Sequence, residues 1–265
     1  MAVGLSTYAL FWEWSSLNPE PISLAGMLAR THELGSTVFQ ICDYPPVEDL
    51  DATQLAEVRR TADDLGITLE LGTRGVLTGH LLHYLDIADA LGATMLRSMV
   101  RQGPQVPGIE ESTALVARIV PELERRGITL ALETYEQVST ADLLRVVTGA
   151  GSAQVGVCLD PGNTVAALEL PMDVVRACAP YVRNLHVKDF AFSRRDGWVG
   201  FTYAGAPLGE GLLDYDAMVA LVRPDERGIN QIIEHWLPWQ GDLATTLELE
   251  RTWTEHNLNY LRSKK

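Results

Sequence analysis

The chain has 265 residues, 46% of them hydrophobic, and its formal net charge at pH 7 is −14. That length and apolar content can bury one large core, and the acidic excess repels a phosphate backbone, so we expect no nucleic-acid partner. No apolar run approaches the ~18 residues of a membrane span. We expect a single domain over residues 1–265, with neither signal peptide nor membrane partner, located in the cytoplasm.

One pattern recurs along the chain: a helical stretch, a glycine and then a β-rich run. It is found in HELG-STVFQI, DDLG-ITLEL, DALG-ATMLRSM, ERRG-ITLALE and DERG-INQIIE. Glycine just past a helix supplies the left-handed conformation that ends it, so each copy predicts a helix-to-strand junction. The predicted strands lie at about residues 3–7, 36–41, 67–72, 93–99, 128–134, 154–160, 182–189 and 230–236.

Eight strands that alternate with helical patterns predict an α/β fold, a (β/α)8 TIM barrel. The alternative is a doubly wound open sheet. Against it, the first strand–helix turn, LSTYALFWEW, lacks the GxGxxG pattern of a dinucleotide-binding sheet.

Four of the predicted strands end on a side chain that binds metals. ITLALE ends on Glu133, VGVCLD on Asp160, VRNLH on His186 and QIIE on Glu234. Buried charge is costly unless it is paired, and the carboxyl ends of barrel strands form the active-site face. Three carboxylates and one imidazole suit a hard or borderline cation. We therefore predict one divalent metal ion, with Mn²⁺ preferred and Mg²⁺, Co²⁺ or Zn²⁺ as alternatives.

Alternation along the strands predicts which side chains surround this site. Residues two positions apart share a face, so Tyr135, Cys158, Lys188 and Trp236 should point inward with the four metal-binding residues. His235 should point away. We expect Tyr135, Lys188 and Trp236 to contact the substrate.

The predicted active-site face is also rich in aromatic residues. Trp14 and Trp198 are candidates for packing against a sugar ring. The segment AFSRRDGWVGFTYAGAPLGEGLL after strand seven has the length of a lid, and Arg194 within it could bind a phosphate or carboxylate. Glu70 and Arg97 on neighbouring strands predict an ion pair, with substrate contact as the alternative.

The segments LALETYE, VGVCLDPGN, NLHVKDF with PLGEGLLDY behind it, and IIEHW resemble the sugar phosphate isomerase/epimerase family of xylose isomerase-like barrels. That family includes ketose 3-epimerases and inosose dehydratases, and the resemblance spans nearly the whole chain. It implies a single divalent metal held by Glu133, Asp160, His186 and Glu234. It also implies that Glu133 and Glu234 form the catalytic acid/base pair.

Two positions depart from this family pattern. Asn163 stands where many relatives have His, and Tyr135 where many have His or Asn. Both positions belong to the pocket rather than to the metal set, which makes Asn163 a further candidate for substrate binding. The departures therefore leave the substrate and the reaction open.

We predict a metal-dependent isomerase or epimerase that removes a proton next to a carbonyl through a metal-stabilised enediolate. The alternative is a lyase or dehydratase acting on a keto-sugar or keto-glycoside, including cleavage like that of C-glycoside deglycosidases. A nuclease-type barrel with several zinc ions would need more His and Glu, and a non-catalytic sugar-binding barrel would not need all four ligand types. The expected partner is a small sugar or glycoside, and a homo-oligomer or a partner subunit is left open.

Overall fold

The computed structural model describes residues 2–104 and 106–264. In chain order its strands are β1 (Val3–Ser6), β2 (Val38–Cys42), β3 (Thr68–Gly72), β4 (Met95–Ser98), β5 (Thr129–Glu133), β6 (Val155–Leu159), β7 (Val182–Val187), β8 (Asp189–Arg194), β9 (Phe201–Ala206) and β10 (Gln231–Ile233). The first seven strands and β10 pair in parallel and close into a barrel in the order β1-β10-β7-β6-β5-β4-β3-β2. The predicted TIM barrel is confirmed.

The helices surround this barrel. They are α1 (Phe11–Trp14), α2 (Leu24–Glu33), α3 (Ala52–Asp64), α4 (Thr78–Leu91), α5 (Ile109–Arg126), α6 (Thr140–Gly149), α7 (Pro171–Cys178), α8 (Tyr215–Val222), α9 (Pro224–Arg227) and α10 (Leu243–Ser263). Gly92 and Gly127 end α4 and α5 in the left-handed conformation, at φ 69° and 66°. These two residues confirm the glycine junctions that the sequence predicts.

The barrel strands are buried on both faces, which explains their nearly continuous apolar runs. Every residue of β2 and of β6 is buried. Outward-facing apolar side chains pack against the helices, whereas polar side chains such as Gln40 and Asn184 are enclosed with no exposed surface. Among the residues that the structure describes, no helix has the length and hydropathy needed to span a membrane.

The segment after β7 differs from the predicted long loop. Strand seven ends at Val187, and the antiparallel hairpin of β8 and β9 follows. The Asp189 carboxylate explains this arrangement because it accepts backbone N–H groups from Gly209 at 2.9 Å, Gly211 at 3.0 Å and Leu213 at 2.9 Å. Both ends of the hairpin are thus fastened to one side chain.

Candidate metal centre

The carboxyl ends of four barrel strands bring Glu133, Asp160, His186 and Glu234 to one point. Glu133 ends β5, Asp160 and Glu234 directly follow β6 and β10, and His186 lies near the end of β7. All four side chains are buried, and one potential ligand atom from each lies within 4.8 Å of the others. This geometry could hold a metal ion.

The surroundings of His186 fit a cation at this point. Its Nδ1 atom is buried and has no hydrogen-bond partner among the described residues. The same atom lies 3.5 Å from Glu133 Oε1 and 3.5 Å from Glu234 Oε2. On the other side of the ring, Nε2 lies 2.8 Å from Gln40 Oε1. A nitrogen lone pair facing two carboxylates is unfavourable unless a proton or a cation lies between them, and three oxygens with one nitrogen suit a divalent ion.

Two buried cationic side chains border the four metal-binding residues. The Arg97 guanidinium contacts the Glu133 carboxylate and lies 3.0 Å from Asp43 Oδ1. Burial raises the pKa of Glu133, but Arg97, His186 and Lys188 together outweigh burial, and the pKa is lowered. Glu133 is therefore held as a carboxylate, the form that binds metals.

Lys188 borders the opposite side, with its Nζ atom 2.6 Å from Asp160 Oδ2 and 3.5 Å from Glu234 Oε2. Burial opposes the charged form of Lys188, but Asp160 and then Glu234 raise its pKa above the ordinary value. The Trp236 ring covers the ammonium, with its centroid 4.0 Å from Nζ. The structure thus places two predicted substrate-binding residues, Lys188 and Trp236, directly beside the candidate metal centre.

Asn163 links the two sides of the site. Its Nδ2 atom donates to Glu133 Oε1 at 2.7 Å, and its Oδ1 atom accepts from Lys188 Nζ at 3.2 Å. Cys158 also lies beside Glu133 and His186, so it faces inward as predicted. His235 instead lies beside Asn257 of α10, 3.5 Å away, on the outer side of the barrel.

The other predicted substrate-binding residues lie farther out. Tyr135 is half-buried just beyond Glu133, where its backbone bridges to Val138. The indole N–H of Trp14 donates to the Thr7 carbonyl at 2.8 Å, which ties this ring into the packing at the barrel rim. The same ring packs edge-on against Phe11 and Tyr44, and its contact with a substrate stays a prediction.

Arg194 and Trp198 belong to the hairpin and are exposed. The Arg194 guanidinium lies 4.3 Å from the Phe201 ring centroid and 5.8 Å from that of Trp198. These contacts keep both side chains on the hairpin surface rather than at the buried metal-binding residues. The sequence assigned this segment to a loop, whereas Arg194 ends β8 and Trp198 lies at the tip of the hairpin. Their contact with a substrate stays a prediction.

The predicted ion pair between Glu70 and Arg97 is wrong. Arg97 pairs in register with Gly72, so Glu70 lies two positions closer to the amino-terminal end of the barrel. Arg97 instead contacts Asp43 and Glu133, and Asp43 also accepts from Arg74 Nε at 2.9 Å. Asp43 directly follows β2. The four metal-binding residues are predicted because each ends a buried strand, and the same pattern could have identified Asp43.

Comparison with known proteins places this arrangement in a family. A family model described as xylose isomerase-like TIM barrel matches residues 28–264. The 3-oxo-isoapionate decarboxylase of Pectobacterium atrosepticum is 54% identical over 264 residues, covering 100% of this chain and 96% of the relative.

Solved structures share the fold at lower identity. D-psicose 3-epimerase with D-tagatose from Clostridium cellulolyticum H10 is 14% identical, with a TM-score of 0.74 over 99% of this chain and 97% of the other. A xylose isomerase-like TIM barrel protein from Mycobacterium smegmatis in complex with magnesium is 18% identical, with a TM-score of 0.71 over 97% of each chain. The resemblance seen in the four sequence segments is confirmed, and the chain belongs to the xylose isomerase-like TIM barrel family.

Proposed function

We propose that the chain is a metal-dependent decarboxylase of a 3-oxo sugar acid, with 3-oxo-isoapionate as the first substrate to test. The observation that carries the proposal is the 54% identity to the Pectobacterium decarboxylase over the whole chain. This activity belongs to the lyase alternative of the sequence analysis, in the form of carbon–carbon cleavage. The isomerase or epimerase that the sequence analysis preferred is not confirmed, since the epimerase structures share the fold at much lower identity.

The site has the groups that such a reaction needs. In a 3-oxo acid, the carbonyl is next to the carbon that carries the carboxylate. When the bond to the carboxylate breaks, CO₂ leaves and the electron pair moves onto the carbonyl oxygen as an enolate. Glu133, Asp160, His186 and Glu234 would hold a divalent ion, which acts as a Lewis acid toward that oxygen when bound.

Lys188 is suited to a direct role in this reaction. Its ammonium faces Asp160, Asn163 and Glu234. A charge-assisted hydrogen bond from this ammonium to a substrate oxygen would strengthen as negative charge develops there. After CO₂ has left, the carbon needs one proton, and we assign its delivery to Lys188.

The contacts of Glu133 support decarboxylation over epimerisation. Its Oε1 atom accepts the Asn163 amide N–H at 2.7 Å, and its Oε2 atom faces Arg97. An epimerase must remove a proton from carbon with a free general base. Decarboxylation removes no such proton, so a carboxylate with both oxygens engaged can serve as a metal ligand alone.

The proposal is tested by product analysis in D₂O. The Mn²⁺-loaded protein is incubated separately with 3-oxo-isoapionate, D-psicose and D-tagatose, with the spontaneous loss of CO₂ subtracted. We expect one CO₂ per product, one deuterium at the carbon that lost it, and no deuterium in the ketoses. If a ketose gains deuterium or epimerises, and 3-oxo-isoapionate releases no CO₂ above the spontaneous rate, the protein is an epimerase instead. The Asp160→Ala variant controls for contaminating activity.

A further inference from the structure

A buried polar network lies inside the barrel on the amino-terminal side of His186. At its centre, the Glu70 carboxylate accepts three amide N–H groups: from Asn230 at 2.8 Å, from Asn184 at 2.9 Å and from Gln40 at 3.1 Å. Glu70 is 3% exposed, and Gln40 and Asn184 have no exposed surface. Asn230 is half-buried, but these three side chains are shielded from solvent, so their hydrogen bonds must be satisfied internally.

Three hydrogen bonds fix which way the Asn230 and Gln40 amides face. The backbone N–H of Ala2, which can only donate, lies 3.1 Å from Asn230 Oδ1. The Asn230 amino group must therefore face Glu70. Gln40 uses its Nε2 atom twice, toward Glu70 and toward Asn184 Oδ1 at 3.2 Å. Its only remaining polar atom, Oε1, is the one 2.8 Å from His186 Nε2.

This orientation places a proton on Nε2 of the His186 ring. An amide oxygen only accepts, so the Nε2 atom beside it must carry a proton. A neutral imidazole has one N–H, which leaves the lone pair on Nδ1. Nδ1 is the atom that faces Glu133 and Glu234 and has no hydrogen-bond partner among the residues that the structure describes.

We propose that Glu70 is a positioning residue for the metal centre: through Gln40 it holds His186 in the tautomer whose lone pair faces the metal. This inference rests on the metal centre of the proposed function. Partners that orient a metal-binding histidine through its second nitrogen affect the metal affinity strongly. Here the carboxylate acts through one intervening amide rather than directly on the ring.

The composition of the network also argues against a role in stability alone. The three partners of the Glu70 carboxylate are neutral amides. Burying a charge without a cationic partner lowers stability, and a well-packed apolar side chain of the same volume would stabilise the fold more. A requirement to direct the Gln40 oxygen toward His186 accounts for that cost.

The Glu70→Gln variant tests this relay, the hydrogen-bonded chain from Glu70 through Gln40 to His186. The new amide can present N–H groups of its own, so the Gln40 amide is free to turn its amino group toward His186 and favour the tautomer protonated at Nδ1. We expect the affinity of the apoprotein for Mn²⁺ to fall by about 10–100-fold in isothermal titration calorimetry. Glu250→Gln is the matched control, because Glu250 is a buried glutamate that caps α1 through the N–H groups of Trp12 and Glu13. It should leave the Mn²⁺ affinity unchanged.

A double variant separates the relay from general disruption. Combining Gln40→Glu with Glu70→Gln moves the carboxylate next to His186, where it can still accept the Nε2 proton, and leaves an amide at position 70 to donate to it. We expect the double variant to bind Mn²⁺ more tightly than Glu70→Gln alone. An affinity no better than that of the single variant would contradict the relay.

A measurement on the unmodified protein covers the case in which a variant does not fold. Nitrogen-15 histidine NMR of the Zn²⁺-loaded protein, with His186→Gln used to assign the signal, should show a proton on Nε2 of His186. A proton on Nδ1 would overturn the inference, and so would wild-type Mn²⁺ affinity in Glu70→Gln. If CO₂ release from 3-oxo-isoapionate remains metal-dependent in either case, the proposed function survives. If the wild-type protein binds no divalent ion, the metal centre and the inference both fail.

Discussion

The Lys188 ammonium lies 2.6 Å from Oδ2 of Asp160, one of the four residues proposed to bind the metal. Both groups are buried, so their attraction is screened by solvent far less than it would be at the surface. A divalent ion at Asp160 must therefore share this carboxylate with the ammonium. Binding of the metal would loosen the hold on Lys188 and leave its N–H groups available to a substrate.

Replacing Lys188 should separate catalysis from metal binding. In Lys188→Met the competing cation is gone, so Mn²⁺ should bind at least as tightly as in the wild type. The rate of CO₂ release should fall by about 10²–10⁴-fold because the proton donor is lost. Calorimetry and a CO₂ assay at saturating Mn²⁺ measure the two effects. Activity close to that of the wild type would rule out Lys188 as the proton donor.

Glu133→Gln distinguishes a metal ligand from a catalytic base. The amide oxygen can still coordinate, but the lost charge should weaken Mn²⁺ binding. If Glu133 only binds the metal, saturating Mn²⁺ should restore CO₂ release to within about tenfold of wild type, well short of the ~10²–10⁴-fold loss expected for a missing base. A loss in that larger range at saturating metal would instead support the acid/base role that the family resemblance implies.

Removal of the buried Arg97 side chain should destabilise the protein. Arg97→Met leaves Asp43 and Glu133 buried without their shared partner. Breaking a buried ion pair in this way costs about 3–5 kcal/mol. Arg125→Met is the control, because Arg125 pairs with Glu122 on the surface of α5, and exposed ion pairs contribute little to stability. Urea unfolding of the metal-free proteins compares them, and equal losses in both variants would contradict the prediction.

Glu250 should make the stability depend on pH. Burial raises the pKa of this carboxyl from its ordinary value of 4.5 to about 8, although the backbone N–H groups of Trp12 and Glu13 oppose the shift. Between pH 4.5 and about 8, Glu250 is therefore protonated in the folded state and ionised in the unfolded state. The contribution of Glu250 is thus fully present below pH 4.5 and is lost as pH rises toward 8.

The Glu250→Gln variant isolates this effect because the amide does not titrate. Urea unfolding across the same pH range should show the wild type losing stability relative to the variant by up to ~1.4 kcal/mol per pH unit. A stability difference that stays constant with pH would show that the pKa of Glu250 is not raised in the folded protein.

The sequence predicts the barrel and the position of the four metal-binding residues because both depend on local rules. Strand ends are marked by buried runs that stop at Glu133 or Asp160, and alternation along a strand places Lys188 with His186. The partners of Arg97 depend instead on register, since Arg97 pairs with Gly72 on one side and Ala131 on the other. No single strand contains that information.

Contacts across the barrel and within turns also cannot be predicted from buried strand runs or from alternation along a strand. Gln40 and His186 lie on strands far apart in the chain, and only closure of the barrel brings them together. Trp14 lies in a short helix at the rim, where strand alternation does not apply. The hairpin depends on Asp189 and the turn at Gly209–Leu213, which are separated along the chain by the hairpin itself.

The hydrogen bonds of Asp189 hold the base of the hairpin, so changes at the hairpin tip are separated from changes at the reaction centre. Lys188 immediately precedes Asp189. The hydrogen-bonded start of the hairpin therefore keeps the Lys188 ammonium in place, whatever residues the outer part of the hairpin contains. Residues 194–201 can therefore be lengthened, shortened or replaced without altering the reaction centre. Descendants of this barrel could vary the hairpin tip freely while they inherit the same chemistry unchanged.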